Sequence, residues 1–282
     1  MKAFLGMGLL GSNFVKAMLR KGEGVKVWNR TLSKAKSLET NGAEVFENII
    51  DAVRGADMIH LTLKDDDTVN EVLEAASPGF TPGVIIIDHT TTSAKGAIDR
   101  TAAWKDKGCI YLHAPVFMGP ANALESSGNM LLSGNQELIR RLEPVLSGMT
   151  GKLINLGPEE GKAAGIKLVG NLFLLSLTAG LSDTLALAKA LGIPASDVAA
   201  LFASWNPGAS MPARFNKIAA GDFSKASWEL NMARKDAGLM MSVAKEKDAK
   251  LTVIPSIAAE MDRWIAKGHG TDDWSVIAKD NL

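Results

Sequence analysis

Lys167 and Asn171 stand four residues apart in a stretch, Glu160 to Gly192, that is rich in alanine and leucine and has no proline. That spacing puts two side chains on one helix face, one turn from each other. A lysine held among apolar neighbours has its pKa lowered and becomes able to give up a proton and take it back. An amide beside it can hold an oxygen without titrating. The bland alternative is a lysine snorkelling from a buried helix, with the amide bonded to nearby backbone. A second group with chemical meaning is Gly6-Met7-Gly8-Leu9-Leu10-Gly11. Glycines so spaced permit a tight turn, close approach of backbone to a pyrophosphate, and close packing of helix on strand. They do so only where a strand precedes them and a helix follows.

The flanking residues supply that setting. Lys2 to Leu5 is a short apolar strand candidate, and Ser12 to Lys21 has the helical pattern Phe14, Val15, Met18, Leu19 before Gly22. The helix N-terminus offers free N–H groups and a positive dipole end to phosphates. The next strand, Val25 to Trp28, ends in Asn29-Arg30-Thr31, with Lys34 one turn on. An acidic residue at this strand end holds the ribose 2′-hydroxyl of NAD. Asn29 has no charge to repel a 2′-phosphate and Arg30 can clamp one, so the reading is NADP(H).

Strand and helix candidates then alternate: Ala43–Phe46, Asn48–Arg54, Met58–Leu63, Thr68–Ala76, Val84–Asp88 and Ala94–Lys107. Cys109–Ala114, Met130–Ser133 and Leu153–Leu156 are further strands. This order predicts an α/β fold with a doubly wound, mostly parallel sheet, whose ligands lie beyond the carboxyl ends of the strands. The loops at Leu63 to Asp66, Asp88 to Ser93 and Ala114 to Leu124 qualify, with Leu63, Lys64 and Thr92 as expected cofactor contacts. From Glu160 to Gly192 the pattern predicts one helix, roughly 45 Å long for about 30 residues. Beyond it, Asp197–Trp205, Ala213–Ala220, Trp228–Lys247, Pro255–Ala266 and Trp274–Ala278 all read as helices.

Composition bounds the rest. The 282 residues suffice for two domains, and 31 basic against 31 acidic residues give no electrostatic case for nucleic acid or a membrane surface. A single cysteine, Cys109, excludes an internal disulfide and suits a reducing compartment. Met1 to Leu5 lacks the apolar core of a secretory leader. The run Leu168 to Leu181, interrupted by Asn171, Ser176 and Thr178, is too short to span a bilayer. A cytoplasmic protein is expected. Asp65-Asp66-Asp67 suggests a metal cluster, but reads better as a solvated helix start before Thr68. His60, His89, His113 and His269 show no metal-ligand spacing, so no metal is assigned. His89 and His113, at strand ends, read as structural.

Four signals in order resemble the β-hydroxyacid dehydrogenases, the family of 3-hydroxyisobutyrate dehydrogenase and semialdehyde reductases. They are the glycine loop with Asn29-Arg30-Thr31; Ala114-Pro115-Val116 with Gly119 and Gly128; Lys167 with Asn171; and Trp228 to Gly238, which retains Lys235-Asp236. The resemblance implies a Rossmann-type NADP-binding domain over residues 1–159, an interdomain helix over 160–192 and an all-helical domain over 193–282. It makes Lys167 and Asn171 the catalytic pair and Lys235 a cofactor contact. It places Val116, Phe117, Met118, Gly119 and Trp228 at the substrate, alongside the pair. It implies a homodimer or homotetramer that transfers hydride between NADPH and a carbonyl or alcohol.

The family's substrate segment commonly carries a serine and small residues where this chain has Phe117 and Met118. That departure predicts a bulkier or less polar carbonyl substrate, with backbone N–H groups near Gly119 still open to an oxyanion. Imine reductases share the implied architecture, but usually have Asp or Tyr where Lys167 stands. A non-catalytic NADPH-binding protein would not need Lys167, Asn171 and Lys235 together.

Overall fold

The computed structural model describes all residues, Met1 to Leu282. The chain divides into two compact units, Met1–Leu172 and Phe173–Leu282. In chain order the first unit runs β1 (Lys2–Leu5), α1 (Leu9–Arg20), β2 (Val25–Trp28), α2 (Leu32–Lys36), β3 (Glu44–Val45) and α3 (Ile49–Val53). It continues with β4 (Met58–Leu61), α4 (Asp66–Ala76), β5 (Ile85–Asp88), α5 (Ala94–Asp106), β6 (Ile110–His113) and β7 (Val116–Phe117). Then follow α6 (Pro120–Glu125), β8 (Asn129–Leu132), α7 (Gln136–Ser147) and β9 (Lys152–Asn155). Helix α8 (Lys162–Ala190) begins in this unit and ends in the second, which adds α9 (Ala195–Ser204), α10 (Met211–Ala219), α11 (Leu230–Glu246) and α12 (Ile254–Ala266).

Six parallel strands form the main sheet in the order β3-β2-β1-β4-β5-β6. The order reverses between β1 and β4, which is where an open α/β sheet leaves a crevice beyond its strand ends. Period-two alternation divides the core. Phe4 packs with Phe14, Met18 and Val27 on one face, while Ala3 and Leu5 pack with Ile59, Leu61 and Leu73 on the other. Contrary to the expectation of one sheet, β8 and β9 form a second with β7, where β7 pairs antiparallel and β9 parallel to β8.

The second unit is helical around Leu230, Ala233, Ala237, Ala258, Met261 and Trp264. Trp228 precedes α11 rather than opening it, because extended Glu229 is the N-cap. Trp228, Met232 and Lys235 lie at helical spacing but form no core stripe. These residues are exposed while Leu230, Ala233 and Ala237 are buried.

Helix α8 has the length expected, but it corrects the reading that its apolar run is too short to span a bilayer. Its 29 residues are long and apolar enough to cross a membrane by length and composition, and only 11% of its most apolar window is buried. Yet Asp183, inside the helix, accepts hydrogen bonds from the backbone N–H groups of Thr252, Val253 and Ile254 at 2.7, 2.8 and 3.1 Å. Burial alone would raise this carboxyl's pKa. The three N–H donors outweigh it and hold the pKa below the usual value. The carboxylate thus caps the start of α12.

Candidate functional site

The glycine loop is built by three different requirements. Gly6 has φ +97°, and a Cβ there would lie 2.2 Å from the Thr62 carbonyl oxygen. A Cβ on Gly11 would lie 2.0 Å from the carbonyl oxygen of Gly6. Both glycines are therefore fixed by packing of β1, α1 and the end of β4. Gly8, the N-cap of α1, meets nothing within 4 Å of such a Cβ. The open space is ahead of the helix N-terminus, where a pyrophosphate would fit and a side chain would intrude. This cradle fits a dinucleotide. Gly8→Val is expected to cost about 1 kcal/mol in stability, typical of an N-cap exchange. It is expected to weaken NADPH binding by calorimetry at least tenfold, about 1.4 kcal/mol. Unaltered affinity would remove Gly8 from the site.

A cavity of about 310 Å³ brings together Gly6, Gly8, Asn29, Arg30, Thr31, Lys34, Leu63 and Lys64, with Trp28, Thr62, Thr68 and Val72. Met7 is buried, whereas Leu9 is exposed and Leu10 half-buried in the first turn of α1. Lys64 pairs with Asp65 at 3.1 Å, but Arg30 and Lys34 are exposed and form no ion pair. No carboxylate lines the cavity, so its charge is positive. Asn29 does more than avoid repulsion. Its Oδ1 accepts from the Met7 N–H at 2.9 Å and its Nδ2 donates to the Thr31 carbonyl at 2.8 Å. It ties the glycine loop to the end of β2, a role that residue type alone did not reveal.

The loops around this cavity are fixed by a buried polar network. Asp88 Oδ2 accepts from the Tyr111 hydroxyl at 2.6 Å, and that hydroxyl accepts from Arg100 Nε at 2.9 Å. Arg100 Nη1 donates to Asp66 Oδ1 at 2.8 Å, whose Oδ2 accepts from the Ser93 N–H at 2.9 Å. The Thr90 hydroxyl accepts from the Leu63 N–H at 2.9 Å. The loops after β4 and β5 are thereby held to each other. Asp65 caps α4 through Thr68, whose hydrogen bonds lower its pKa to about 2.

Thr92 is placed differently from expectation. It is buried with its hydroxyl 3.2 Å from His113 Nε2 and does not line the cavity, so its side chain supports the loop. His60 and His89 stack in the core with Nδ1 to Nε2 at 3.1 Å, and His89 Nδ1 is 2.9 Å from the Ala114 carbonyl. The carbonyl requires an N–H on His89 Nδ1, which leaves Nε2 to accept from His60. Burial lowers the pKa of His89 to about 4 despite that carbonyl and Asp88. These histidines are neutral structural groups at physiological pH.

Lys167 and Asn171 do meet: Nζ donates to Oδ1 at 3.0 Å. The lysine is 9% exposed, and burial lowers its pKa below the ordinary lysine value. The start of α8 is fixed by the Ala163 N–H donating to the Ser133 hydroxyl at 2.9 Å. It is fixed also by close approach of Gly161 to Ala94 and Ile98. In the 116–119 segment Val116 is buried in β7, and Phe117 lies with its ring centroid 4.2 Å from Lys167 Nζ. Met118 packs against Gly128. The Gly119 N–H is not open to an oxyanion as expected, because it donates to Asn122 Oδ1 at 2.9 Å. Trp228 and Lys235 belong to the second unit, where both are exposed and Lys235 Nζ lies 3.1 Å from Asp236.

Sequence reasoning missed Gly170. A Cβ there would sit 2.3 Å from Phe117 Cζ, so the helix is grooved to receive the ring. A glycine inside a helix costs about 1 kcal/mol against alanine, and that cost was the available signal.

Residues 2–157, more than half of the chain, match the family described as the NAD binding domain of 6-phosphogluconate dehydrogenase. The chain belongs to that family. Residues 160–281 match a second family, the C-terminal domain of NADPH-dependent reductive aminase-like proteins. The 6-phosphogluconate dehydrogenase-type assignment bears out the β-hydroxyacid dehydrogenase resemblance. 3-Sulfolactaldehyde reductase of Escherichia coli is 28% identical over 284 residues, covering 98% of this chain and 93% of that protein. A probable 3-hydroxyisobutyrate dehydrogenase of Mycobacterium bovis is 24% identical over 282 residues, covering 98% and 95%. The solved imine reductase of Myxococcus stipitatus in complex with NADP+ superposes with a TM-score of 0.93 at 21% identity, covering 100% of each chain. It shares the fold. Family membership and the dinucleotide cradle make this member of the family a nicotinamide-dinucleotide-dependent oxidoreductase.

Proposed function

We propose that the protein is an NADPH-dependent reductase of carbonyl compounds, in which Lys167 supplies the proton. The observation that carries this reading is the hydrogen bond from buried Lys167 Nζ to Oδ1 of half-buried Asn171. A bound nicotinamide dinucleotide supplies hydride to a carbonyl carbon, or takes it back from the alcohol. Gly8 and the N-terminus of α1 would hold its pyrophosphate, and Arg30 with Lys34 would hold a 2′-phosphate. Lys167 keeps a proton at Nζ beside the oxygen that gains charge, and burial makes that proton easier to release. Asn171 orients the ammonium through Oδ1 and offers its amide N–H to the substrate oxygen.

Phe117 and the engaged Gly119 N–H leave the 116–119 segment poor in donors for a carboxylate. This supports a substrate bulkier or less polar than small hydroxy acids. With NADPH, uncharged carbonyls are expected to turn over faster than succinic semialdehyde or glyoxylate. A clear preference for the small acids would contradict the substrate reading. The structural likeness to an imine reductase at 21% identity makes a cyclic imine the necessary control in the same panel.

A homodimer or homotetramer in the cytoplasm completes the reading. Phe173, Leu174, Leu175, Leu177, Leu181 and Leu185 are exposed along α8, more apolar surface than a lone soluble chain ordinarily leaves uncovered. A monomer in sedimentation equilibrium would remove this part of the proposal.

A further inference from the structure

Phe117 has a seat in the fold that a substrate-facing aromatic would not need. Its Cζ and Cε1 lie 2.3 and 2.7 Å from where a Cβ on Gly170 would stand, so the ring tip is lodged against the backbone of α8. Gly170 follows Lys167 by three residues and immediately precedes Asn171, so the notch adjoins the pair on the same helix. From that seat the ring lies 4.2 Å from the Lys167 ammonium, within cation–π range.

We propose that Phe117 is a positioning residue for Lys167, a ring wedged into the Gly170 notch that holds the ammonium charged and aimed. This rests on the reading of Lys167 as proton donor and deepens it. An ammonium has three N–H donors and no acceptor. Asn171 Oδ1 takes one of them at 3.0 Å, and the ring face covers a second direction. The third is left for a substrate oxygen. The ring also answers an electrostatic difficulty. Burial favours neutral lysine and lowers its pKa below the ordinary value. The electron-rich ring face and the amide oxygen both favour the charged form. The replacement of the family's serine by Phe117 thus exchanges a hydrogen-bond donor towards substrate for a support beneath the catalytic lysine.

The test is the pKa of Lys167 in cofactor-free protein. It is read from the pH dependence of its acetylation by acetic anhydride, with mass spectrometry of the peptide. Wild type is compared with Phe117→Leu, which keeps apolar bulk but has no ring face. The second comparison is Gly170→Ala, which keeps the ring but fills its seat. Both are expected to lower the Lys167 pKa by about 0.5–1 unit. The alkaline limb of the kcat profile is expected to move down with it. If Phe117→Leu does not fold, Gly170→Ala carries the test alone. An unchanged pKa, or a rise as water enters, overturns the proposal and leaves the ring as a filler of space. Because the labelling needs no turnover, this failure is separate from failure of Lys167 as the proton donor, which Lys167→Ala reports.

Discussion

Lys167→Ala is expected to lower kcat for carbonyl reduction by at least ~10²-fold, the lower bound for loss of a positioned general acid. NADPH affinity is expected to stay within a few-fold, because Lys167 lies on α8 and not among the cavity residues around Gly8 and Arg30. The lysine must be protonated to assist reduction. The reductive rate is therefore full below its pKa and falls as pH rises through it. Burial sets that fall below the ordinary 10.5. In the alcohol-oxidising direction the neutral amine is needed and the limb inverts. Stopped-flow single turnovers with Lys167→Ala separate this loss from slow product release. Near-normal turnover would remove Lys167 from catalysis.

Arg30→Ala is expected to weaken NADPH binding by roughly 10- to 100-fold. That corresponds to one or two charge-assisted hydrogen bonds to phosphate, each about 1.5–3 kcal/mol, partly replaced by Lys34. NADH affinity is expected to change little, since the adenosine ribose of NADH has no phosphate for Arg30 to meet. The contrast decides the role of the residue. Equal losses for both cofactors would mean that Arg30 contacts the common adenosine and not the 2′-phosphate. NADH serving wild type as well as NADPH would contradict the reading of Asn29-Arg30-Thr31.

The sheet was legible because its strands are short apolar runs bounded by glycine turns, and because strand, glycine loop and helix occur in an order with one structural solution. The contact between Lys167 and Asn171 was legible because helical spacing fixes it. What escaped notice depended on pairing at a distance. Two-residue β7 has no periodicity to read, yet it makes β8 and β9 a separate sheet. Helix α7 follows a clear N-cap, Asn135, but carries Pro144 in its last turn, which disguises it as a broken segment. The helix was begun two residues early at Trp228, because Glu229 is the N-cap.

Side-chain occupancy was the least legible property of the site. Asn29 and Gly119 were assigned by residue type to a ligand, but Asn29 uses both ends of its amide within the fold and Gly119 its N–H. Thr92 likewise bonds inward to His113. Gly8 shows the converse. The motif assigns the second glycine to close approach of a pyrophosphate, and a Cβ on Gly8, unlike one on Gly6 or Gly11, would meet nothing within 4 Å.

The central claim is that this chain moves hydride from NADPH to a carbonyl carbon. The most direct measurement is label transfer from NADPH deuterated at the nicotinamide C4 position, with the product alcohol analysed by mass spectrometry across the carbonyl panel. The expected result is one deuterium on the carbinol carbon, formed by wild type at a rate at least ~10²-fold above Lys167→Ala. An enzyme that labels a cyclic amine from its imine but no alcohol from any carbonyl would contradict it.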